Sequence, residues 1–235
     1  MEIEGIIFDK DGTLFDFNKT WGEWAKIFLT EISKGDDYKA IELGKLIGYD
    51  LVNEIFFKGS VVIAGTPVEI AQKLSKEVPH LKLKQLTKYI NDIAKTVETK
   101  AATPLNPLLI KFKKNDIKIG VATNDGIEPA IAHLKSAEIF KSFDLVLGSD
   151  SGFGCKPGCG MLLEFCRKFK LNPPNVFMVG DSSHDLLAGK AANMPTIGVL
   201  TGVAKRDELL QYTENVLNNI GEIPEFLKKN NYNFL

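Results

Sequence analysis

The chain has 235 residues, 44% hydrophobic and 25% charged, with a formal net charge of -1. Such a balance describes an ordinary globular chain, long enough for one large domain or two modest ones, and excludes a disordered or collagen-like polymer. The dispersed lysines and near-zero charge give no footprint for nucleic acid or an anionic membrane.

No apolar run approaches the ~18 residues of a membrane span. Glu2 and Glu4 stand where the positive region of a signal peptide would lie. The three cysteines, Cys155, Cys159 and Cys166, are an odd number and argue against a disulfide framework. The expectation is a protein of the reducing cytoplasm with thiols that pack rather than bind zinc.

In chain order, residues 2–8 read as a buried strand that ends in Asp9-Lys10-Asp11-Gly12-Thr13. Residues two apart in a strand point the same way, so both carboxylates can face one spot beyond the strand end. They would repel there unless a cation or a proton lay between them. A calcium loop starting at Asp9 would need ligands where Thr13 and Thr20 stand, and fails.

Residues 16–100 have a different grammar. Apolar residues at 21, 24, 25, 28, 29 and 32 predict a helix, and residues 38–47 and 50–57 read as shorter ones. Thr66-Pro67-Val68-Glu69 is a capping box opening a further helix. Leu83, Leu86, Ile90, Ile93, Ala94 and Val97 form another helical stripe. Apart from the short Val61-Val62-Ile63 run, no strand is expected here. Trp21 and Trp24 are expected to pack this helical segment, since large aromatics mostly bury.

From residue 105 helices and strands alternate. Strands are expected at 117–122, 143–147, 175–179 and 196–200, with helices between them and a weaker alternation over 204–229. That alternation implies a parallel sheet covered on both faces, and the first strand must belong to it. Functional groups in such sheets gather beyond the carboxyl ends of the strands. Asp9 and Asp11, Thr123 and Asn124, and Asp181 and Asp185 all lie at such ends, and Lys156 lies in a loop that can reach the same rim. Hard carboxylate oxygens suit Mg²⁺, a hydroxyl and a lysine suit phosphate oxygens, and an aspartate can act as nucleophile toward phosphorus. A second aspartate can move the proton.

The ordered set Asp9-Lys10-Asp11-Gly12-Thr13, Thr123-Asn124, Lys156-Pro157 and Gly180-Asp181-x3-Asp185 resembles the four motifs of the haloacid dehalogenase-like superfamily, most closely its phosphoglycolate phosphatase-like group. The resemblance covers nearly the whole chain. It implies an α/β fold: a Rossmann-like doubly wound core from residues 1–15 and 101–235, with residues 16–100 as an inserted all-helical cap domain. It implies a Mg²⁺-dependent phosphatase acting through an aspartyl-phosphate on a small phosphorylated metabolite resembling phosphoglycolate. Asp9 would be nucleophile and metal ligand. Asp11 would be general acid/base, with its backbone carbonyl on the metal. Thr123, Asn124 and Lys156 would hold the phosphoryl group. Asp181 would ligate Mg²⁺, and Asp185 would orient a water on it. The aspartate at position 11 argues against a true dehalogenase.

The alternatives are a β-phosphoglucomutase-like phosphosugar mutase, disfavoured by Gly180 where mutases carry glutamate, and a catalytically silent binding module. His184 lies inside the last motif without an assigned task. A monomer or homodimer is expected, with no nucleic acid or membrane partner.

Overall fold

The computed structural model describes residues 2–234. Its eight strands are β1 (Gly5–Phe8), β2 (Tyr49–Asp50), β3 (Ile55–Phe56), β4 (Lys118–Ala122), β5 (Leu145–Leu147), β6 (Val176–Gly180), β7 (Thr196–Val199) and β8 (Val216–Leu217). Helices α1 (Phe17–Ile32), α2 (Asp37–Ile47), α3 (Val61–Ala64), α4 (Pro67–Leu74) and α5 (Leu83–Ala94) precede β4. Then come α6 (Leu105–Lys114), α7 (Ile127–Ser136), α8 (Gly160–Phe169), α9 (Ser183–Ala191), α10 (Arg206–Leu209) and α11 (Ile223–Lys229).

Six strands form one parallel sheet in the order β5-β4-β1-β6-β7-β8. The chain runs outward from β1 through β4 to β5, then returns to lay β6 on the other side of β1. The strand order therefore reverses between β1 and β6, where a crevice opens at their carboxyl ends. β1 is buried on both faces, as its unbroken Gly-Ile-Ile-Phe run requires. Ile6 and Phe8 pack on one face with Leu109 and Phe112 of α6 and Ile223 and Leu227 of α11. Ile7 points to the other, with Leu162 and Phe165 of α8 and Ala188 of α9.

Residues 17–97 bury an apolar cluster of their own, built from α1, α2, α4 and α5. The two chain connections to this segment run side by side. Asp16 N–H donates to Lys100 O and Ala102 N–H to Leu14 O, at 2.8 and 2.9 Å.

Two local expectations change. Residues 50–57 are not a helix: Tyr49–Asp50 and Ile55–Phe56 pair as a minimal antiparallel ribbon in the otherwise helical insert. Asp50 Oδ1 accepts from the N–H of Val52 and Asn53 and bends the chain between them. Conversely, Val61-Val62-Ile63 is helical, because Ser60 caps it by accepting from Val62 N–H. Local capping overrides β-branched propensity in a run this short.

Trp24 anchors the insert. It is fully buried, stacks on Phe28 with ring centroids 4.9 Å apart, and donates its indole N–H to Ile90 O at 3.2 Å. Trp24→Ala should lower unfolding free energy by about 3–5 kcal/mol, read as a lower urea midpoint. An unchanged midpoint would contradict this packing role.

Candidate active site

The rim of the crevice brings together side chains from four separate stretches. Lys156 Nζ lies 2.6 Å from Asp9 Oδ1 and 2.6 Å from Asp185 Oδ1, all but enclosed by protein. Asp181 completes the group: Asp9, Asp181 and Asp185 each place a carboxylate oxygen within 4.8 Å of the others. Asp9 continues β1, with its N–H on Val179 O at 2.8 Å. Asp181 and Asp185 flank the start of α9, and Asp185 Oδ2 also accepts from Ser182 N–H and Oγ–H at 3.0 and 2.7 Å.

Asp181 is packed to the limit. A Cβ on Gly12 would fall 2.4 Å from its carboxylate, and one on Gly202 only 1.7 Å away. Gly12 also has φ +79°, a left-handed conformation that favours glycine.

Three carboxylates around one ammonium leave an electrostatic deficit. Burial pushes Asp9 up to about 7, with Lys156 opposing and Asp185 and Asp11 adding to the rise. Burial, with Asp185 and Asp9 beside it, raises Asp181 well above the usual carboxylate range. Burial alone would lower Lys156, but Asp185 and Asp9 outweigh it and hold the ammonium charged. A hard divalent cation among these oxygens would relieve the repulsion, so the donor set fits Mg²⁺.

Thr123 and Asn124 extend from β4 to the same rim. Thr123 is buried, and its Oγ accepts from Asp125 N–H at 3.1 Å. Asn124 is expected from the sequence to face phosphate, yet its amide is engaged with backbone. Its Oδ1 accepts from Lys156 N–H, and its Nδ2 donates to Lys156 O and to Ala64 O, each at 2.8 Å. The side chain thus clasps the lysine loop and reaches the helical insert.

A second charged group was not legible in the motifs. Lys10, between the two aspartates, is completely buried. Its Nζ lies 2.6 Å from Asp11 Oδ2, 3.1 Å from Asp125 Oδ2 and 3.0 Å from His133 Nδ1. Since an ammonium only donates, His133 Nδ1 must accept, so Nε2 carries the proton and donates to Ala94 O at the end of α5. Burial, and then Lys10, push this imidazole down to about 4. The only sequence signal was a lysine set between two aspartates at the end of an apolar strand. Nothing local linked it to His133.

Residues 6–199 match the family model described as haloacid dehalogenase-like hydrolase. The chain belongs to this family. It is 29% identical to a phosphoglycolate phosphatase of Psychrobacter arcticus over 86% of this chain and 85% of that one. It is 25% identical to the pyrophosphatase PpaX of Bacillus mycoides over 98% and 100% of the two chains. Among solved structures, a β-phosphoglucomutase from Clostridium difficile aligns with a TM-score of 0.68 at 19% identity, covering 97% of this chain and 96% of that one. A HAD phosphatase from Thermococcus onnurineus aligns at 0.68 and 17%, covering 96% and 98%. At those identities the likeness speaks for the fold.

In this hydrolase the helical insert lies directly over the rim. Asn124–Ala64, His133–Ala94, Lys95–Glu128 and Lys58–Glu208 all join it to the sheet domain. Beneath it a cavity of about 30 Å³ is lined by Asp9, Asp11, Thr123 and Lys156 below and by residues of the insert above, with Ser182 and His184 at one side. That is room for about two waters. None of the three cysteines forms a disulfide or lines this cavity. Among the described residues no helix is long and apolar enough to cross a membrane.

His133 generates a pH prediction. Its folded value of about 4 lies below the ordinary 6.5, so the unfolded chain takes up this proton first as pH falls. The stability it contributes is present above 6.5 and is lost toward pH 4. His133→Gln, which can keep both hydrogen bonds, should lack this component. Relative to wild type, its unfolding free energy should rise by about 2 kcal/mol between pH 7.5 and 4.5. Urea titrations at the two pH values check this; a pH-independent difference would contradict it.

Proposed function

We propose that the protein is a Mg²⁺-dependent phosphatase that hydrolyses a small phosphorylated metabolite through an aspartyl-phosphate. The observation that carries the reading is the division of the two strand-end carboxylates. Asp9 faces Lys156 and the acidic group, whereas Asp11 is paired with Lys10. Carboxylates held in unlike environments can take unlike roles. Residues 16–100 act as a cap domain on the core formed by 1–15 and 101–235.

The Asp9 carboxylate attacks phosphorus as the bond from phosphorus to the leaving oxygen breaks. Asp11, whose Oδ1 is buried without a partner, gives its proton to that oxygen. It then takes a proton from the water that attacks the aspartyl-phosphate, which restores Asp9 and releases phosphate. Thr123 and Lys156 hold the phosphoryl oxygens, and Asn124 keeps the lysine loop in place. Asp9, Asp181 and the backbone carbonyl of Asp11 would hold Mg²⁺, which supplies positive charge against the phosphoryl oxygens. Asp185 holds Lys156. The cap excludes bulk water while the phosphoryl group is transferred.

Phosphoglycolate is the family-level expectation for the substrate. A phosphosugar mutase is disfavoured, because a bisphosphate needs a second cationic site. Lys156 is the one ammonium among the described residues lining the cavity.

Release of p-nitrophenol from p-nitrophenyl phosphate should require Mg²⁺ and stop on adding EDTA. Asp9→Asn should lower kcat by at least about 10³-fold. Undiminished turnover by that variant would exclude Asp9 as nucleophile. No turnover by folded wild type across a broad panel of phosphate esters would exclude the phosphatase.

A further inference from the structure

The cap side of the cavity is apolar. Phe17, Trp21, Val62, Ile63, Ala64 and Ile70 face the carboxylates and lysine below. The charged groups that line the cavity are Asp9, Asp11, Asp125, Asp185 and Lys156. Lys156 is already matched by Asp9 and Asp185. The start of α4, which could otherwise attract an anion, carries its own: Glu69 Oε2 accepts from Thr66 N–H and Oγ–H at 2.7 and 2.9 Å. A second negative charge on the substrate would leave water for an apolar wall where no cation among the described residues lines the cavity to meet it.

One polar group in that wall lacks a partner. Trp21 is 5% exposed, lines the cavity, and its indole N–H has no acceptor among the described residues. Its neighbour Trp24 shows the usual outcome, with its N–H on Ile90 O. An indole N–H only donates, and buried ones nearly always find an acceptor. The expectation that both tryptophans pack the cap holds for burial, but Trp21 retains a donor that the folded chain does not use.

We propose that the leaving group is small and uncharged, with an apolar body held by the cap wall and one oxygen that accepts from Trp21 Nε1–H. The inference rests on the phosphatase reading above and narrows its substrate class. It sets this chain apart from the substrates named for its relatives, since glycolate and phosphate leaving groups both carry charge.

Three esters of nearly equal size test this with the full-length protein and Mg²⁺: phosphoglycolate, its neutral amide phosphoglycolamide, and propyl phosphate. In wild type, kcat/KM for phosphoglycolamide should exceed that for phosphoglycolate by about tenfold or more. Trp21→Phe should lower kcat/KM for phosphoglycolamide about five- to tenfold and leave propyl phosphate within about twofold. Ile63→Lys, which adds a cation at a half-buried wall position, should shift the preference toward phosphoglycolate. Phosphoglycolate or pyrophosphate turned over as well as the amide by wild type would overturn the inference and leave the phosphatase standing. That comparison needs no variant to fold. Equal losses on the amide and propyl phosphate in folded Trp21→Phe would also overturn it. No Mg²⁺-dependent release from any ester, p-nitrophenyl phosphate included, would overturn both readings.

Discussion

The ammonium of Lys156, held between Asp9 and Asp185, is the interaction on which the rest of the site depends. Ion pairs taken out of water are stable only when every partner is in place. Here the partners come from the end of β1, the first turn of α9 and a loop before α8, so the pair exists only when the sheet has closed in register. The Asn124 amide fixes the lysine's backbone from both sides. Gly12 and Gly202 let Asp181 approach the same point from the far side. The surplus of negative charge that remains suits the crevice to a cation.

A second lysine divides the labour. Lys10 sits one residue from each strand-end aspartate, yet of the two it pairs with Asp11 and not Asp9, and it also pairs with Asp125 and meets His133. Through His133 Nε2 this group touches Ala94 of the helical insert, and through Asn124 the lysine clasp touches Ala64. Both charged clusters of the core are therefore hydrogen-bonded to the element that covers them. The helical insert and the carboxylates are thus joined in one network.

The alternation of helices and strands and the order of the four motifs were legible because each rests on local pattern: period 3.6, period 2, and turn chemistry at strand ends. The rim residues Asp9, Asp11, Thr123, Lys156, Asp181 and Asp185 could be listed for the same reason. Misreadings fell where a single side chain decided the backbone, as with Asp50 bending the β2–β3 ribbon and Ser60 starting α3. Where the Asn124 amide is engaged was not legible, because its position in the motif says nothing of it. His133 carried no local signal, for its partners are Lys10 and a carbonyl 39 positions away.

By itself the sequence determined the class of fold and the inventory of reactive groups, since hydrophobic period and residue type are properties of short stretches. Tertiary structure decided which carboxylate meets which lysine and, among the described residues, that one tryptophan donates its N–H while its neighbour keeps one unused and that the wall above the site bears no cation. Those outcomes depend on distances between segments far apart in the chain, and charge pairing and burial act through distance in space.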